Sequence, residues 1–280
     1  MNYGVNITYL TKKIPMEKAA KLLAMAGLNA LDFVPDFKLD TWESELHSAL
    51  ELFGKENLYV HQTHAPINRY GEWGDNHKEN LYRSLETAKI MGSKFLVVHG
   101  DEFDFANKEY SPEAALKYNY ELFAPIVDKA NGYGINVAFE TVFEEGLSKK
   151  GMPRFCSQSS DLKTLIEKFD SDNVCCCWDF GHAGVQYGDE HPEKILELGK
   201  YIKCTHVHDW GHKYDLHLPP YLGSNNWDLC MKAMKKIGYD GNLTLELVYG
   251  EIPEDMGEAF VLYLRKTLDS LKNKFDNAEV

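Results

Sequence analysis

The sequence predicts an α/β fold, a single (β/α)8 barrel that occupies residues 1–280 as one domain. Two observations carry this prediction. Short apolar runs alternate with amphipathic helical patterns eight times along the chain, as expected for parallel strands joined by crossover helices. No glycine-rich dinucleotide loop follows the first predicted strand and no Pro/Gly/Ser-rich linker divides the chain, which favours a closed barrel over a doubly wound sheet.

The eight predicted strands are short and rich in Val, Ile, Leu and aromatic residues. This composition is typical of strands that are buried on both faces of a parallel sheet. In chain order they are GVNITYL (4–10), ALDFV (30–34), LYVHQTH (58–64), KFLVVHG (94–100), NVAFET (136–141), VCCCWD (174–179), YIKCTHVH (201–208) and LTLEL (243–247).

Helix-start signals lie between several of these strands. Ser111-Pro112-Glu113 offers an N-cap followed by proline in the first turn, and His191-Pro192-Glu193 is similar. Asp40 and Glu43 have the spacing of a capping box. The segment 254–274 carries apolar residues at helical spacing, so we expect a helix near the C-terminus.

The composition narrows the classes of partner and location. The net charge of −13 argues against a broad nucleic-acid-binding face, because such faces use Lys and Arg to neutralise phosphates. No stretch approaches the roughly 20 apolar residues of a membrane helix, and MNYGVNITYL lacks a signal-peptide pattern. The six cysteines have no disulfide-framework or CxxC spacing. We therefore expect them to be small, buried, apolar side chains, and we expect the protein to lie in a reducing, cytoplasmic compartment.

Potential metal ligands or acid–base groups end most of the predicted strands. In a barrel of this kind the C-terminal ends of the strands form the active-site face, so these side chains should meet in one central volume. A lone histidine at a strand end is usually a structural residue. The site is predicted because such residues occur at the ends of so many strands of one barrel. The residues are Asp32, His64, His99, Glu140, Asp179, His206, His208 and Glu246.

The acidic members of this set point to a divalent metal. Burial of Glu140 or Glu246 without a partner would be costly, and a shared cation removes that cost for both. Asp179 and His182, three positions apart across a turn, can reach the same cavity; alternatively, His182 caps the next helix. Two Glu, one Asp and one His without a thiolate suit Mn, Mg, Co or Zn.

Four segments resemble the sugar phosphate isomerase/epimerase superfamily, the xylose isomerase-like TIM barrels that also include the endonuclease IV group. They are VAFET, which resembles the fifth-strand glutamate segment, CCWDFGHA, IKCTHVHD, and GYDGNLTLEL, which leads to the last-strand glutamate. The resemblance covers essentially the whole chain. It implies one divalent metal held by Glu140, Asp179, His206 and Glu246, with His182 beside the substrate. His208 is expected to point the opposite way from His206 on the strand and to be packed or hydrogen-bonded.

The resemblance also implies an activity. It is that of a metal-dependent isomerase or epimerase of a sugar or sugar phosphate, which transfers a proton through an enediolate with Glu140 and Glu246 as the catalytic groups. Barrels of this family often form homo-oligomers. The further histidines and aspartate would contact the substrate; these are His64, His99, Asp215 and His217.

Three other functions remain open at this point. In endonuclease IV an Asp-x-His pair carries further zinc, and Asp215 and His217 resemble it, although Leu216 stands where that pattern has Arg. His64 and His99 also resemble extra ligand positions of that enzyme, a phosphodiesterase acting on abasic DNA. An inosose-type dehydratase would need the same groups, whereas a non-catalytic carbohydrate-binding barrel would not need two facing glutamates.

Predicted loop residues could contact the substrate or be ordinary surface groups. A phosphate could meet the basic residues among them, or these could be solvated charges. The aromatic residues could wall a sugar or pack the loops. The basic residues are Arg69, Lys149, Lys150, Arg154 and Lys213, and the aromatic ones are Trp73 and Trp210.

Overall fold

The computed structural model describes residues 1–37, 41–68, 74, 76–101, 110–144, 154–212, 214–250 and 252–280. Several residues singled out in the sequence lie outside these ranges. They are Asp40, Arg69, Trp73, Lys149, Lys150 and Lys213. Among the described residues, no helix combines the length and apolar character needed to cross a bilayer.

Eight parallel strands form the predicted barrel, in the spatial order β10-β1-β2-β3-β4-β5-β6-β7. The seventh and last strands approach each other through Val207, whose N–H donates to the Thr244 carbonyl at 2.7 Å and which bridges to Leu245. A separate antiparallel hairpin, β8 with β9, follows the seventh barrel strand. The strands are β1 (Tyr3–Asn6), β2 (Ala30–Phe33), β3 (Tyr59–His64), β4 (Phe95–Val98), β5 (Asn136–Glu140), β6 (Val174–Asp179), β7 (Ile202–His206), β8 (Asp209–Gly211), β9 (Tyr214–Leu218) and β10 (Leu243–Leu245).

Helices follow the barrel strands as crossover connections. The prolines predicted near two helix starts fall in the first turns of α5 and α8. The helices are α1 (Ile7–Thr11), α2 (Met16–Met25), α3 (Trp42–Lys55), α4 (Asn76–Met91), α5 (Pro112–Tyr133), α6 (Ser159–Phe169), α7 (Phe180–Tyr187), α8 (His191–Leu198), α9 (Trp227–Lys236) and α10 (Gly257–Asn277).

The first strand is shorter than predicted. The run GVNITYL divides after Asn6, and the remainder enters helix α1. The Asn6 side chain accepts a hydrogen bond from the Tyr9 N–H at 3.2 Å, which caps the helix and competes with continuation of the strand. The consequence is that Tyr9 lies on a helix at the mouth of the barrel and not in the sheet.

The barrel interior is packed by a small apolar cluster on the inward rows of the strands. Cys175 and Cys177 of β6 lie in it with Cys204 of β7, whereas Cys176 joins the larger core between sheet and helices. This alternation is the two-residue period of a strand. All six cysteines are buried and free, and burial raises the pKa of the Cys177 thiol well above its ordinary value, as expected for an apolar role.

Candidate metal centre and active site

The inward rows that carry the apolar cluster end in the polar side chains predicted from the sequence. Ala138 is followed two positions later by Glu140, Cys177 by Asp179, and Cys204 by His206. Because side chains alternate along a strand, each of these groups projects into the barrel above the packed interior. The polar groups therefore converge at the C-terminal face by strand geometry alone.

Four of these residues form a compact set, which we call cluster A: Glu140, Asp179, His206 and Glu246. Each offers one ligand atom, and these atoms all lie within 4.8 Å of one another. Nδ1 of His206 lies 3.1 Å from Oε1 of Glu140, 3.6 Å from Oε2 of Glu246 and 3.8 Å from Oδ2 of Asp179. All four residues are buried, with Glu246 the most exposed at 6%.

A divalent cation fits the chemistry of cluster A. Three carboxylates surround one imidazole nitrogen, and that nitrogen, His206 Nδ1, has no hydrogen-bond partner among the described residues. Buried carboxylates in such proximity are costly unless a cation compensates them. The set offers oxygen and nitrogen donors without a thiolate, which suits Mn, Mg, Co or Zn. The role of these residues as ligands, predicted from the sequence, remains a prediction that this geometry supports.

Glu140 is enclosed by histidine rings. Its Oε2 lies 2.8 Å from His64 Nε2 and 3.1 Å from His99 Nε2. Its Oε1 lies 3.2 Å from His182 Nδ1 and 3.1 Å from His206 Nδ1. Burial raises the pKa of the Glu140 carboxyl, but the surrounding histidines, His206 first among them, outweigh burial and hold that pKa well below its ordinary value. Glu140 is therefore an ionised acceptor at the centre of the site.

His64, Glu140 and His206 also bring ligand atoms within 4.8 Å of one another. The His64 ring stacks on the His206 ring with centroids 5.6 Å apart, and His99 meets the His64 ring edge-on at 5.2 Å. Burial lowers the pKa of His99 to about 4, against the opposing effect of Glu140. His99 is thus neutral at physiological pH and retains a nitrogen lone pair.

A second set, cluster B, consists of His182, His208, Asp215 and His217, whose ligand atoms also lie within 4.8 Å of one another. Asp215 Oδ2 is 3.0 Å from His217 Nε2 and 3.4 Å from His182 Nε2. Burial raises the pKa of the Asp215 carboxyl, but hydrogen bonds from these two histidines lower it far more. The pKa of His217 is lowered by burial yet raised overall to about 9, chiefly by Asp215 and Glu246.

The β8–β9 hairpin carries two members of cluster B, Asp215 and His217, on strand β9 and places them over the barrel mouth. Asp209 at its start is fully buried and accepts hydrogen bonds from Trp227 Nε1 at 2.9 Å, the Tyr221 N–H at 3.0 Å and the Asn225 N–H at 2.8 Å. These contacts fix the chain on both sides of the hairpin. The aspartate of the IKCTHVHD segment thus anchors this loop and does not face the metal cluster.

The prediction that His208 points the opposite way from His206 is wrong, whereas the prediction that it is packed or hydrogen-bonded is confirmed. Its Nε2 lies 2.9 Å from Asp179 Oδ2, and its Nδ1 lies 3.7 Å from Asp215 Oδ1. His206 and His208 are two positions apart, and residues with that spacing share a face of an extended chain. His208 therefore joins the site and stands between the two clusters.

A cavity of about 330 Å³ lies over these groups. Glu140 and Glu246 both line it. So do His64, His99 and three members of cluster B, which are His182, Asp215 and His217. Tyr9 and Lys12 also line it, with the Lys12 ammonium 4.5 Å from the centre of the Tyr9 ring. Tyr9 and Lys12 were not predicted as site residues, because the segment around Tyr9 was expected to form a strand. The Asn6 cap three positions before Tyr9 is the signal that could have found them.

Two of the loop residues considered above have structural partners. Arg154 is 2% exposed and donates to the Phe143 carbonyl at 3.0 Å, so it is not a charge on the surface. Trp210 Nε1 donates to Asn225 Oδ1 at 3.1 Å, which supports the view that it packs the loops.

Solved structures with the same fold include sugar-processing proteins. A D-tagatose 3-epimerase-like protein superposes with a TM-score of 0.77 at 22% identity, covering 99% of this chain and 98% of that one. The IolI protein with a bound zinc atom superposes with a TM-score of 0.74 at 19% identity, covering 100% of this chain and 99% of that one. These similarities establish the barrel fold.

Sequence comparisons identify the family. The protein MJ1311 of Methanocaldococcus jannaschii is 25% identical over 271 residues, covering 85% of this chain and 89% of that protein. A mannonate dehydratase of Thermotoga maritima is 25% identical over 143 residues, covering 45% of this chain and 40% of that enzyme. A family model described as the xylose isomerase-like TIM barrel matches residues 20–267. The chain therefore belongs to the xylose isomerase-like TIM barrel family.

Proposed function

We propose that this protein is a divalent-metal-dependent isomerase or epimerase of a sugar or sugar phosphate. One observation carries the proposal: Glu140 and Glu246 both line the same 330 Å³ cavity and both approach His206 Nδ1, at 3.1 Å and 3.6 Å. Two carboxylates beside one metal position are what proton removal and return at a carbon next to a carbonyl require. The epimerase-like and IolI structures support the same class of chemistry.

The two glutamates have different surroundings, which suggests a division of labour. Glu246 is 6% exposed. The histidine nitrogens nearest to its carboxylate, Nδ1 of His206 and Nδ1 of His217, both lie 3.6 Å from Oε2. Glu140 is 1% exposed and within 3.2 Å of four histidine nitrogens. We assign proton removal to Glu246, which has fewer close histidine contacts, and proton return to Glu140. Glu140 would draw the proton that it delivers from His182, 3.2 Å away. Glu246 would release its proton to solvent through the cavity that it lines.

Cluster A would hold the metal through Glu140, Asp179, His206 and Glu246. When bound, a divalent ion supplies Lewis-acid stabilisation of the negative charge that develops on the substrate oxygens. His182, whose Nδ1 is 2.9 Å from the Thr141 carbonyl oxygen, presents its other nitrogen toward Asp215 and the cavity. His182 would orient a substrate hydroxyl from that side.

The experiment that tests this proposal combines metal analysis with solvent exchange. The purified protein is analysed for Mn, Co, Mg and Zn, reloaded with each metal, and incubated with a panel of ketoses and ketose phosphates in deuterium oxide. Deuterium incorporation next to the carbonyl, dependent on metal, is the expected result. A metal-loaded protein that exchanges no proton of any sugar in the panel would overturn the proposal.

Cluster B favours a second candidate, a zinc-dependent phosphodiesterase acting on abasic DNA. The observation is that His182, His208, Asp215 and His217 form a complete four-residue set beside cluster A, while His64 and His99 flank Glu140. Polynuclear sites of this kind stabilise both the attacking and the leaving oxygen of a phosphoester. Two or three zinc ions per chain together with cleavage of an abasic duplex would establish this candidate instead.

The partial similarity to mannonate dehydratase favours a third reaction that uses the same groups. In a dehydratase, the carboxylate that removes the proton works with an acid that protonates a departing hydroxyl. The substrates to test are aldonates and inososes, which would yield a 2-keto-3-deoxy acid and a deoxy-1,2-diketone, respectively. Detection of either product separates this reaction from epimerisation, in which the substrate loses no water.

A further inference from the structure

Asp32 lies beneath the metal cluster, at the level of the barrel interior. It projects inward from β2, is fully buried, and is not among the residues that line the cavity. Three side-chain nitrogens from different strands lie within hydrogen-bond distance of a single oxygen, Asp32 Oδ2. Asn6 Nδ2 donates to it at 3.3 Å, Gln62 Nε2 donates at 3.5 Å, and His206 Nε2 lies at 3.1 Å. The two amide nitrogens can only donate, so Oδ2 is the acceptor in both of those contacts.

The two nitrogens of His206 therefore meet opposite environments. Nε2 faces Asp32, whereas Nδ1 faces the carboxylates of Glu140 and Glu246 and has no hydrogen-bond partner among the described residues. With a divalent ion in cluster A, His206 would bind as a neutral imidazole, which carries one proton and one lone pair. When the proton lies on Nε2 and is donated to Asp32, the lone pair lies on Nδ1 and points into cluster A.

We propose that Asp32 is a positioning residue that holds His206 as the Nε2-protonated tautomer, so that Nδ1 is the metal-binding atom. The inference rests on the metal centre of the proposed function and deepens it. A carboxylate that accepts from the distal nitrogen of a ligating histidine fixes the ring and increases the basicity of the ligating nitrogen. Asp32 exerts this effect from 174 residues away in the sequence.

The surrounding network explains why Asp32 keeps its orientation. Gln62 donates to Asp32 and accepts from Thr244 Oγ1 at 3.3 Å, which ties β2, β3 and β10 together below the site. Neither of these two hydrogen bonds joins Gln62 to His206. Replacing it tests the loss of network stability separately from the loss of the histidine's partner.

The test compares Asp32→Leu with the control Gln62→Met and measures zinc affinity by competition with a chelator. We expect the dissociation constant to rise about 10- to 100-fold in Asp32→Leu, as for other partners of ligating histidines. In Gln62→Met it should rise clearly less, because Asp32 loses one donor but keeps its contact with His206. If Asp32→Leu does not fold, Asp32→Asn serves instead and should also weaken binding, because an amide is a poorer acceptor than a carboxylate.

A second measurement reads the tautomer directly. Long-range ¹H–¹⁵N correlation spectra of the zinc-loaded wild-type protein should show His206 with a proton on Nε2 and zinc on Nδ1. Coordination through Nε2, or wild-type zinc affinity in Asp32→Leu, would overturn the inference while leaving the isomerase proposal intact. Zinc binding with this tautomer but without sugar turnover would overturn only the isomerase proposal, and a wild-type protein that binds no divalent metal would overturn both.

Discussion

Asp179 Oδ2 lies 2.9 Å from His208 Nε2, and this contact joins cluster A to cluster B. The His208 ring in turn stacks on the His217 ring with centroids 4.0 Å apart and planes 16° apart. Asp179, a candidate metal ligand of cluster A, is thus in direct contact with His208 of cluster B. A change at His208 is therefore expected to alter how Asp179 is held within cluster A.

Replacing either glutamate of the proposed proton-transfer pair should strongly reduce turnover with the fold intact. Loss of a positioned carboxylate that transfers a proton typically costs a factor of about 10² to 10⁴, so we expect losses of this size in Glu246→Gln and at least as large in Glu140→Gln, which also loses a ligand. The measurement is the initial rate of deuterium incorporation from solvent. Glu193→Gln, a change of the same kind at an exposed position, is the control and should match the wild type. Near-wild-type rates in both glutamate variants would show that the roles are wrongly assigned.

Metal stoichiometry should follow cluster A. We expect about one divalent ion per chain, lost in Glu246→Gln and retained in Asp215→Asn, because Asp215 lies outside cluster A. Elemental analysis of protein expressed without added zinc provides the measurement, and Asp189→Asn, at an exposed position, is the control. A wild-type content of two or three zinc ions that falls in Asp215→Asn would place metal in cluster B and favour the phosphodiesterase.

The barrel and most of the candidate site could be predicted because both depend on local patterns. Each strand is an apolar run, and the polar residue at its end follows the inward row by the two-residue period, as for Cys177 and Asp179. The same period places His206 and His208 on one side, so the error at His208 came from applying the period incorrectly and not from a missing signal.

Other features depend on contacts between distant residues and had no local signal. Nothing in the sequence around Asp32 indicates that it accepts from His206, and nothing around Asp215 shows that a hairpin returns it to His182. The end of β1 was missed for a different reason. The run after Asn6 reads as a strand by composition, and the asparagine cap outweighs that tendency.

Two helical glycines should respond in opposite ways to alanine. A Cβ atom at Gly181 would lie 1.8 Å from Cε1 of the buried His208 ring, so the ring must move and its contact with Asp179 must break. We expect Gly181→Ala to lower the free energy of unfolding by about 1–3 kcal/mol, the usual cost of overpacking. A Cβ at Gly54 in α3 meets nothing within 4 Å, so Gly54→Ala should raise it by roughly 0.5–1 kcal/mol. Urea unfolding measures both; a tolerated Gly181→Ala would mean that His208 is not held as described.

The stability of the protein should fall in acid partly through His191. This buried ring accepts a hydrogen bond from Trp178 Nε1 at 2.9 Å on Nε2, and its Nδ1 lies 3.2 Å from Asn225 Oδ1, so its neutral form is fully satisfied. Burial lowers the pKa of His191 to about 4. Its unfolded pKa is about 6.5, so between about pH 6.5 and 4 the unfolded chain binds the proton that the native state excludes. The stabilisation from His191 is thus present above about pH 6.5 and is lost as the pH falls toward 4, by up to roughly 3 kcal/mol.

Urea unfolding at several pH values between about 7 and 4 measures this contribution, because the slope of stability against pH counts the protons taken up on unfolding. His191→Gln removes the titrating group, so its stability, although lower at neutral pH, should fall less steeply with acidification than that of the wild type. His47→Gln, at an exposed position on α3, is the matched control and should reproduce the wild-type slope. Equal slopes for His191→Gln and the wild type would mean that native His191 binds its proton as readily as the unfolded chain does, in conflict with its acceptor role toward Trp178.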